Sequence, residues 1–313
     1  MALDGDRLLD AAAAYRAWLV AEAGCTPEAA YRLSETLLPG DTVLFLENGE
    51  PGREALQRAQ AYAAAVDAGH QPAGEEPIIY ALGEVRLHPP IRPRLIRDFI
   101  AFEEHIRNSR RQRGLDVPPA WYEMPIYYKG NPASVIGPEA TVPWPRYTEE
   151  LDYELEIACI IGRAGRDIPE QEAGQYIFGY TIMNDFSARD IQLKEMSVGL
   201  GPAKGKDFAT ALGPWIVTPD EVGDIYRQPM IARVNGEVWS EGNSSSIHYT
   251  FEAMIAHALN SERLIPGDLI GSGTVGYGCG KELGRYLQPG DVVELEVGAL
   301  GVLRNVVGQR PAR

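Results

Sequence analysis

Apolar side chains recur at helical spacing in the first seventy residues. One face of a first helix, which ends before Gly24, carries Leu8, Ala12, Tyr15 and Leu19. Thr26 followed by Pro27 is typical of an N-cap with proline in the first turn, and it predicts a second helix to about Leu38. The same spacing predicts a third helix over 53–67. We therefore predict a small helical appendage at the N-terminal end.

The pattern changes after a polar, Gly- and Pro-containing stretch at 69–77. Helical patterns become few, mainly 170–176 and 251–259. Short apolar runs typical of strands take over, at 157–161, 180–183, 216–218, 231–234, 269–272 and 292–297. The sequence thus predicts an α+β protein that is mainly β, with a helical N-terminal segment at 1–75 and a second domain at 76–313.

Turn signals separate the predicted strands. Pro-Gly-Asp occurs at Pro39, Pro266 and Pro289, and the last two copies each precede an apolar run. Proline followed by glycine suits the centre of a type II turn, because the second residue there needs a positive φ. The glycine patterns of the P-loop and of the nucleophile elbow do not occur in the sequence.

Charge and cysteine content narrow the function classes. The 313 residues include 29 Lys and Arg against 44 Asp and Glu, a net charge of −15, which disfavours binding to a nucleic-acid backbone. Three cysteines are too few for a disulfide framework, and Cys159, in an apolar run, is expected to be buried and inert. With no signal peptide and no span of membrane length in the sequence, we expect a cytoplasmic protein.

Alternating acidic residues mark the first candidate site. Asp152, Glu154 and Glu156 share one face if this segment is a strand, and the strand continues into an apolar run. Neighbouring carboxylates repel each other unless a cation lies between them, and oxygen ligands favour Mg²⁺, Mn²⁺ or Ca²⁺ over Zn²⁺. The alternative is a solvated strand face.

Three further segments carry candidate chemistry, each with a plainer alternative. Asp185 follows an apolar strand and could reach a metal, or it could instead cap a helix. Arg189, four residues later, could bind an anion through two of its guanidinium N–H groups. His105 could act as a general base or lie on the surface of a charged helix. Lys206 could support an oxyanion or be a solvated loop lysine.

A glycine-rich segment at 271–280 follows a predicted strand and precedes Glu282. Five glycines in ten residues indicate a close approach of the backbone, either to a ligand or within a tight turn.

Taken together, these segments resemble the fumarylacetoacetate hydrolase superfamily over about 85–307. The specific parts are the runs DYELE at 152–156, NDFSARDIQ at 184–192 and GKDF at 205–208. The resemblance implies a mixed β-sandwich roll around a divalent ion, usually Mg²⁺ or Mn²⁺, and a homodimer.

The resemblance also implies roles for particular residues. The metal ligands would be Asp98, Glu154, Glu156 and Asp185. His105 would be the catalytic base, Glu282 its orienting carboxylate and Lys206 a catalytic cation, while the substrate contacts would be Tyr128, Arg189, Gln192 and Thr274. The sequence departs from the pattern at Met196, where a substrate-binding Tyr is usual, and at Asn108, where some members have a Glu beside the His.

The implied activity is metal-dependent hydrolysis of a C–C bond in a 1,3-diketo or acylpyruvate-type acid, through an enolate and a water activated by the His/Glu pair. The same residues could instead serve a decarboxylase or a keto–enol isomerase of a 2-oxo acid. A non-catalytic ligand-binding homologue is a third reading. In each case the partner would be a small anionic keto acid, and the sequence leaves the exact substrate open.

Overall fold

The computed structural model describes residues 2–67 and 77–311. Two compact units divide between Arg86 and Leu87. The first unit extends past residue 75 because the strand Ile79–Ala81 pairs with the strand Arg7–Leu9. The domain boundary at 75/76 stays a prediction.

Within its described residues, the first unit combines a three-stranded antiparallel sheet with four α-helices. Its elements are β1 (Ala2–Asp4), β2 (Arg7–Leu9), α1 (Ala11–Ala21), α2 (Pro27–Leu37), α3 (Thr42–Glu47), α4 (Gly49–Asp67) and β3 (Ile79–Ala81). Thr26 caps α2 as predicted, its hydroxyl accepting from the Ala29 N–H. The prediction that Leu8 begins the first helix is wrong, because Leu8 pairs with Tyr80 and the Asp10 carboxylate caps α1.

The second unit is rich in strands. Its strands are β4 (Ile96–Phe99), β5 (Tyr127–Gly130), β6 (Val135–Ile136), β7 (Thr141–Val142), β8 (Leu151–Asp152), β9 (Leu155–Ile161), β10 (Gly165–Arg166), β11 (Ile177–Asp185), β12 (Ser187–Ala188), β13 (Thr210–Val217), β14 (Pro229–Val234), β15 (Glu237–Asn243), β16 (Arg263–Leu264), β17 (Leu269–Gly271), β18 (Val292–Val297) and β19 (Gly301–Val307). Its helices are α5 (Glu103–Arg111), α6 (Pro119–Glu123), α7 (Glu170–Ala173), α8 (Arg189–Met196), α9 (Pro219–Val222), α10 (Phe251–Leu259) and α11 (Gly280–Leu283). The prediction of a mainly β, α+β fold is confirmed.

Two sheets dominate the second unit. A seven-stranded mixed sheet has the order β5-β4-β17-β9-β11-β13-β6, and a five-stranded sheet has the order β15-β14-β18-β19-β7. Strand β13 contacts β19 of the other sheet. Buried apolar side chains from both sheets, among them Ile182, Leu295 and Leu303, belong to one core with α10.

Two of the three Pro-Gly-Asp turns have the predicted backbone. Gly267 and Gly290 each have φ near +89°, ahead of β17 and β18. Gly40 does not have a positive φ, and it precedes a helix rather than a strand. Within the described residues, none of the helices has both the length and the apolar character needed to cross a membrane.

The register of the seven-stranded sheet determines where the candidate residues lie. Asp98 on β4 is opposite Tyr128 on β5 and Gly271 on β17. Strand β9 follows β17 in the same sheet, and its Glu156 is opposite Met183 on β11. Asp185 at the end of β11 is opposite Thr210. The acidic residues of separate segments therefore meet at neighbouring strands of one sheet.

Candidate active site

Four carboxylates lie buried at the centre of the seven-stranded sheet. Asp98, Glu154, Glu156 and Asp185 are each at most 4% exposed. Asp98, Glu154 and Asp185 each offer an oxygen within 4.8 Å of the others. The alternative of a solvated strand face is therefore wrong, because these acids are buried. The alternative of a helix cap at Asp185 is also wrong, because α8 begins without a side-chain cap.

Burial and mutual repulsion set the charge of these carboxyls. Burial and the charge of Asp185 raise the pKa of Asp98 well above its usual range, and burial and Asp98 do the same to the pKa of Glu156. Burial also raises the pKa of Asp185. Glu154 differs: burial opposes its ionisation, but Lys206 and Arg189 together hold its pKa below the usual range.

Two buried cations face the carboxylates. Lys206 Nζ pairs with Glu154 Oε2 and lies 2.5 Å from Asp185 Oδ2. Arg189 lies 2.8 Å from Glu154 Oε1 through its Nη2 atom. Both are 3% exposed, so the solvated loop lysine is also a wrong alternative. Although burial opposes the charge of both cations, the adjacent acids raise the pKa of each above its usual range.

A buried histidine–carboxylate pair joins α5 to α11. His105 is buried, and its Nδ1 lies 2.7 Å from Glu282 Oε2. The other oxygen of Glu282 accepts from Asn108 Nδ2 at 2.9 Å and from the Tyr277 N–H at 3.1 Å. Burial opposes ionisation of Glu282, but these donors and His105 lower its pKa, so the carboxylate is charged at neutral pH. The prediction that His105 and Glu282 lie together fits this geometry.

The remaining predicted residues border the same cluster. Tyr128 donates to Asp185 Oδ2 at 2.5 Å, and the Thr274 hydroxyl donates to Glu156 Oε1 at 3.2 Å. Gln192 accepts from Arg189 Nη1 at 3.0 Å, which orients its amide. Met196 is 45% exposed at the end of α8. All eleven predicted site residues thus lie in one contiguous set.

The glycine-rich segment approaches these groups closely. A Cβ on Gly271 would lie 2.4 Å from Asp98 Oδ1, and one on Gly280 would lie 2.7 Å from Asp152 Oδ1. Gly273 combines φ of +74° with a backbone oxygen 2.2 Å from the place of a Cβ. The segment therefore needs glycine in order to bring Thr274 and Glu282 to the site.

Sequence reasoning missed the role of Asp152. Its carboxylate is fully buried and accepts from Arg189 Nε at 2.7 Å, from the N–H groups of Tyr153 and Gly280, and from that of Lys281 at 3.1 Å. It thereby joins Arg189 to the short helix that carries Glu282. The signal was present, since Asp152 opens the acidic run, but only tertiary contacts distinguish it from Glu154 and Glu156 in the acidic cluster.

We expect Asp152→Ala to destabilise the protein strongly. The substitution leaves Arg189 and three backbone N–H groups without this acceptor, and loss of one partner of a buried ion pair typically costs about 3–5 kcal/mol. Urea unfolding measures the change. Glu237→Gln is the matched control, because it removes an exposed pair with Arg285 that is worth less than about 1 kcal/mol. Equal effects of the two variants would contradict the structural role of Asp152.

The acidic cluster fits a divalent cation. Among the described residues, Asp98 Oδ1 and Glu156 Oε2 are buried oxygens without a hydrogen-bond partner. Buried carboxylate oxygens without donors are costly unless a cation neutralises them. A set made only of carboxylates suits a hard ion such as Mg²⁺, Mn²⁺ or Ca²⁺.

Comparisons with known proteins bear on the family of this chain. Residues 94–308 match the profile of the fumarylacetoacetate (FAA) hydrolase C-terminal domain. Oxaloacetate tautomerase YisK of Bacillus subtilis strain 168 is 32% identical over 234 residues, 74% of this chain and 75% of the relative. The 2-hydroxyhepta-2,4-diene-1,7-dioate isomerase of Mycobacterium marinum has a TM-score of 0.62 at 28% identity, covering 77% of this chain and 84% of that chain.

A third likeness concerns the fold alone. The maleylpyruvate hydrolase of Sphingobium sp. SYK-6 has a TM-score of 0.67 at 22% identity, over 98% of this chain and 95% of that chain. The predicted superfamily and its fold are confirmed. From the domain match, the identity to the Bacillus protein and the buried acidic cluster, this chain belongs to the fumarylacetoacetate hydrolase superfamily of enzymes.

Proposed function

We propose that this enzyme interconverts the keto and enol forms of a small 2-oxo acid, with a divalent cation as cofactor. The observation that carries the proposal is the His105–Glu282 pair beside the acidic cluster. Cys279 connects the pair to the cluster, because its backbone forms a β-bridge with Glu154 and its thiol donates to Glu282 Oε2. Tautomerisation needs one base that takes a proton from carbon and returns it to oxygen.

The chain's own residues account for the proton transfer. Glu282 accepts from His105 Nδ1–H, which leaves Nε2 with a lone pair to take the proton from the carbon beside the keto group. The charged Glu282 stabilises the imidazolium that results. Arg189, Lys206 and Gln192 lie where they would bind the substrate carboxylate and the enolate oxygen.

Asp98, Glu154, Glu156 and Asp185 would hold the cation. When bound, Mg²⁺ or Mn²⁺ supplies Lewis acidity that polarises the carbonyl of a chelating 2-oxo acid; Ca²⁺ fits the same oxygen ligands. The relatives support the tautomerase proposal, since those at about 30% identity or more include oxaloacetate tautomerases.

A second candidate is hydrolysis of a C–C bond in a 1,3-diketo or acylpyruvate-type acid. The observation that favours it is the fixed orientation of His105, since a base held by a buried carboxylate also suits removal of a proton from water. In that reaction Lys206 and Gln192 would stabilise the oxyanion. Decarboxylation of a 2-oxo acid would use the same enolate chemistry.

One experiment separates these candidates. The Mn²⁺-loaded protein is given oxaloacetate and, separately, an acylpyruvate. Enol disappearance in the ultraviolet reports tautomerisation, while chromatography of acid products reports hydrolysis and CO₂ release reports decarboxylation. Enol conversion without new products supports the main proposal. Two acid products from the acylpyruvate at a higher kcat/KM would overturn it in favour of hydrolysis.

We expect the affinity for Mn²⁺ to rise with pH. The raised pKa values of Asp98 and Glu156 mean that protons compete with the ion, so lowering the pH through these values weakens binding. Each displaced proton changes the affinity by up to about tenfold per pH unit. Calorimetric titrations at pH 6 and pH 8 in buffers of different ionisation enthalpy measure both the affinity and the protons released. A pH-independent Kd would contradict the assignment.

The assembly and the location of the enzyme are also proposals. We infer a homodimer that acts on small anionic acids in the cytoplasm, since the superfamily resemblance implies a dimer and the site offers Lys206, Arg189 and a bound cation to an anion. Light scattering on the purified protein tests the dimer, and a monomeric mass would overturn it.

A further inference from the structure

A second set of ligand atoms lies on the base side of the site. His105, Cys279 and Glu282 offer one nitrogen, one sulfur and one oxygen, all within 4.8 Å of one another. Glu282 Oε2 is 2.7 Å from His105 Nδ1 and 3.3 Å from Cys279 Sγ. This set mixes soft and borderline ligands, whereas the cluster around Asp98 contains only oxygen.

We propose that His105, Cys279 and Glu282 form a zinc site that inhibits the enzyme. The inhibition rests on the proposed role of His105 as base, whereas the binding of the ion does not. A nitrogen, a thiolate and a carboxylate are the ligands that Zn²⁺ takes in tetrahedral protein sites, with a water in the fourth position.

The geometry is close to what tetrahedral coordination needs. Bonds of about 2.0 Å to nitrogen and oxygen and about 2.3 Å to sulfur separate the ligand atoms by about 3.3–3.6 Å. The Glu282–His105 separation of 2.7 Å would widen by about 0.6 Å and the Glu282–Cys279 separation of 3.3 Å by about 0.2 Å, and all three ligand atoms already lie within 4.8 Å of one another. Small rotations of side chains on α5 and α11 provide this change.

The surroundings hold the carboxylate in place for an ion. Glu282 Oε1 is already bound by Asn108 and the Tyr277 N–H, so Oε2 faces the other two ligands. Such outer hydrogen bonds orient metal ligands and raise affinity. The Cys279 and Glu282 side chains are buried, and His105 is 7% exposed.

The charges balance. A neutral imidazole, a thiolate and a carboxylate carry two negative charges, which one Zn²⁺ neutralises. On binding, the Cys279 thiol releases one proton to solvent, and the Nδ1 proton of His105 moves to Nε2 as Nδ1 takes the ion. A neutral site is well suited to a buried location.

This change of tautomer explains the inhibition. The Nε2 atom then carries a proton and no longer accepts one, so His105 cannot act as the base. The two sites would sort metals by ligand type, with Mg²⁺ or Mn²⁺ among the carboxylates and Zn²⁺ at the thiol.

The test uses the full chain loaded with Mn²⁺, with Co²⁺ and Zn²⁺ as probes. We expect one further equivalent of Co²⁺ to bind with a thiolate-to-cobalt charge-transfer band, which Zn²⁺ abolishes, and we expect Zn²⁺ to inhibit turnover. In Cys279→Ser the band should be lost. The Zn²⁺ concentration that halves the variant's own activity should be at least about tenfold higher than the concentration that halves the activity of the unmodified chain. Cys25→Ser is the thiol control and should keep both.

Two outcomes overturn the proposal. The first is absence of the thiolate band in the unmodified chain. The second is equal Zn²⁺ sensitivity of Cys279→Ser and the unmodified chain, which would place the inhibition at the acidic cluster instead. Because the band is read without substrate, a protein that lacks tautomerase activity but shows the band would overturn the proposed function and leave the zinc site standing.

Discussion

His105→Ala should lower turnover by about 10²–10⁴-fold, the usual contribution of a positioned general base. The imidazole is the proton carrier in both the tautomerase and the hydrolase proposals, so either activity reports the loss. Affinity for Mn²⁺ should stay within about twofold of the unmodified value, because His105 contacts Glu282 rather than the oxygens grouped around Asp98. Steady-state kinetics and calorimetric titration measure the two quantities.

The matched control for this prediction is His88→Ala. His88 is exposed beside a proline and makes no part of the site, so its replacement should leave turnover within about twofold. A loss of Mn²⁺ affinity in His105→Ala that equals the loss of turnover would show that His105 has been misassigned and belongs to the metal ligands.

Glu156→Gln should separate stability from activity. Burial and the charge of Asp98 raise the pKa of the Glu156 carboxyl. Its ionisation at neutral pH therefore destabilises the ion-free fold. The sign follows from linkage. A carboxyl whose pKa is raised in the folded state stabilises the fold fully when the pH is below its unfolded-state pKa, and this stability is lost as the pH rises through its folded-state pKa. The neutral amide should therefore raise the free energy of unfolding without metal, while Mn²⁺ affinity and turnover fall by at least about tenfold.

Urea unfolding in the presence of a chelator and calorimetric Mn²⁺ titration read out the two effects. Glu241→Gln, at an exposed position of β15, is the matched control and should change neither quantity. Chelation of the unmodified enzyme should likewise abolish activity, and Mn²⁺ or Mg²⁺ should restore it. A Glu156→Gln protein that is less stable without metal yet binds Mn²⁺ normally would contradict the ligand role.

Local patterns anticipated several elements well. Strand β18 and helix α10 have the predicted ends, since each is a single apolar pattern bounded by turn or cap residues. Strand β13 was anticipated only at its end, because its first half reads as Thr-Ala-Leu-Gly-Pro, which lacks β-branched alternation. Leu8 fitted the helical spacing, yet pairing with β3 overrides that weak local preference.

The candidate residues show where local reasoning ends. Asp152, Glu154 and Glu156 look equivalent along the chain, and Arg189 contacts both Asp152 and Glu154. Only Asp152 also accepts from backbone N–H groups of α11, whereas Glu154 and Glu156 interact with the buried acids Asp98 and Asp185. Alternation alone cannot distinguish them, because their partners come from residues 30 or more positions away. Asn108 and Cys279 gained their roles only from contact with Glu282.

The sequence by itself determined the mainly β fold and the chemical types gathered at the site, since strand periodicity and residue chemistry are local properties. It also pointed to the superfamily, through three motifs in order. Only the tertiary structure shows that oxygens of Asp98, Glu154 and Asp185 come within 4.8 Å of one another, that Lys206 is buried, and that His105 lies 2.7 Å from Glu282, 177 positions away. The physical reason is that charge state and proton transfer depend on burial and distance, which the pairing of strands far apart in the chain creates.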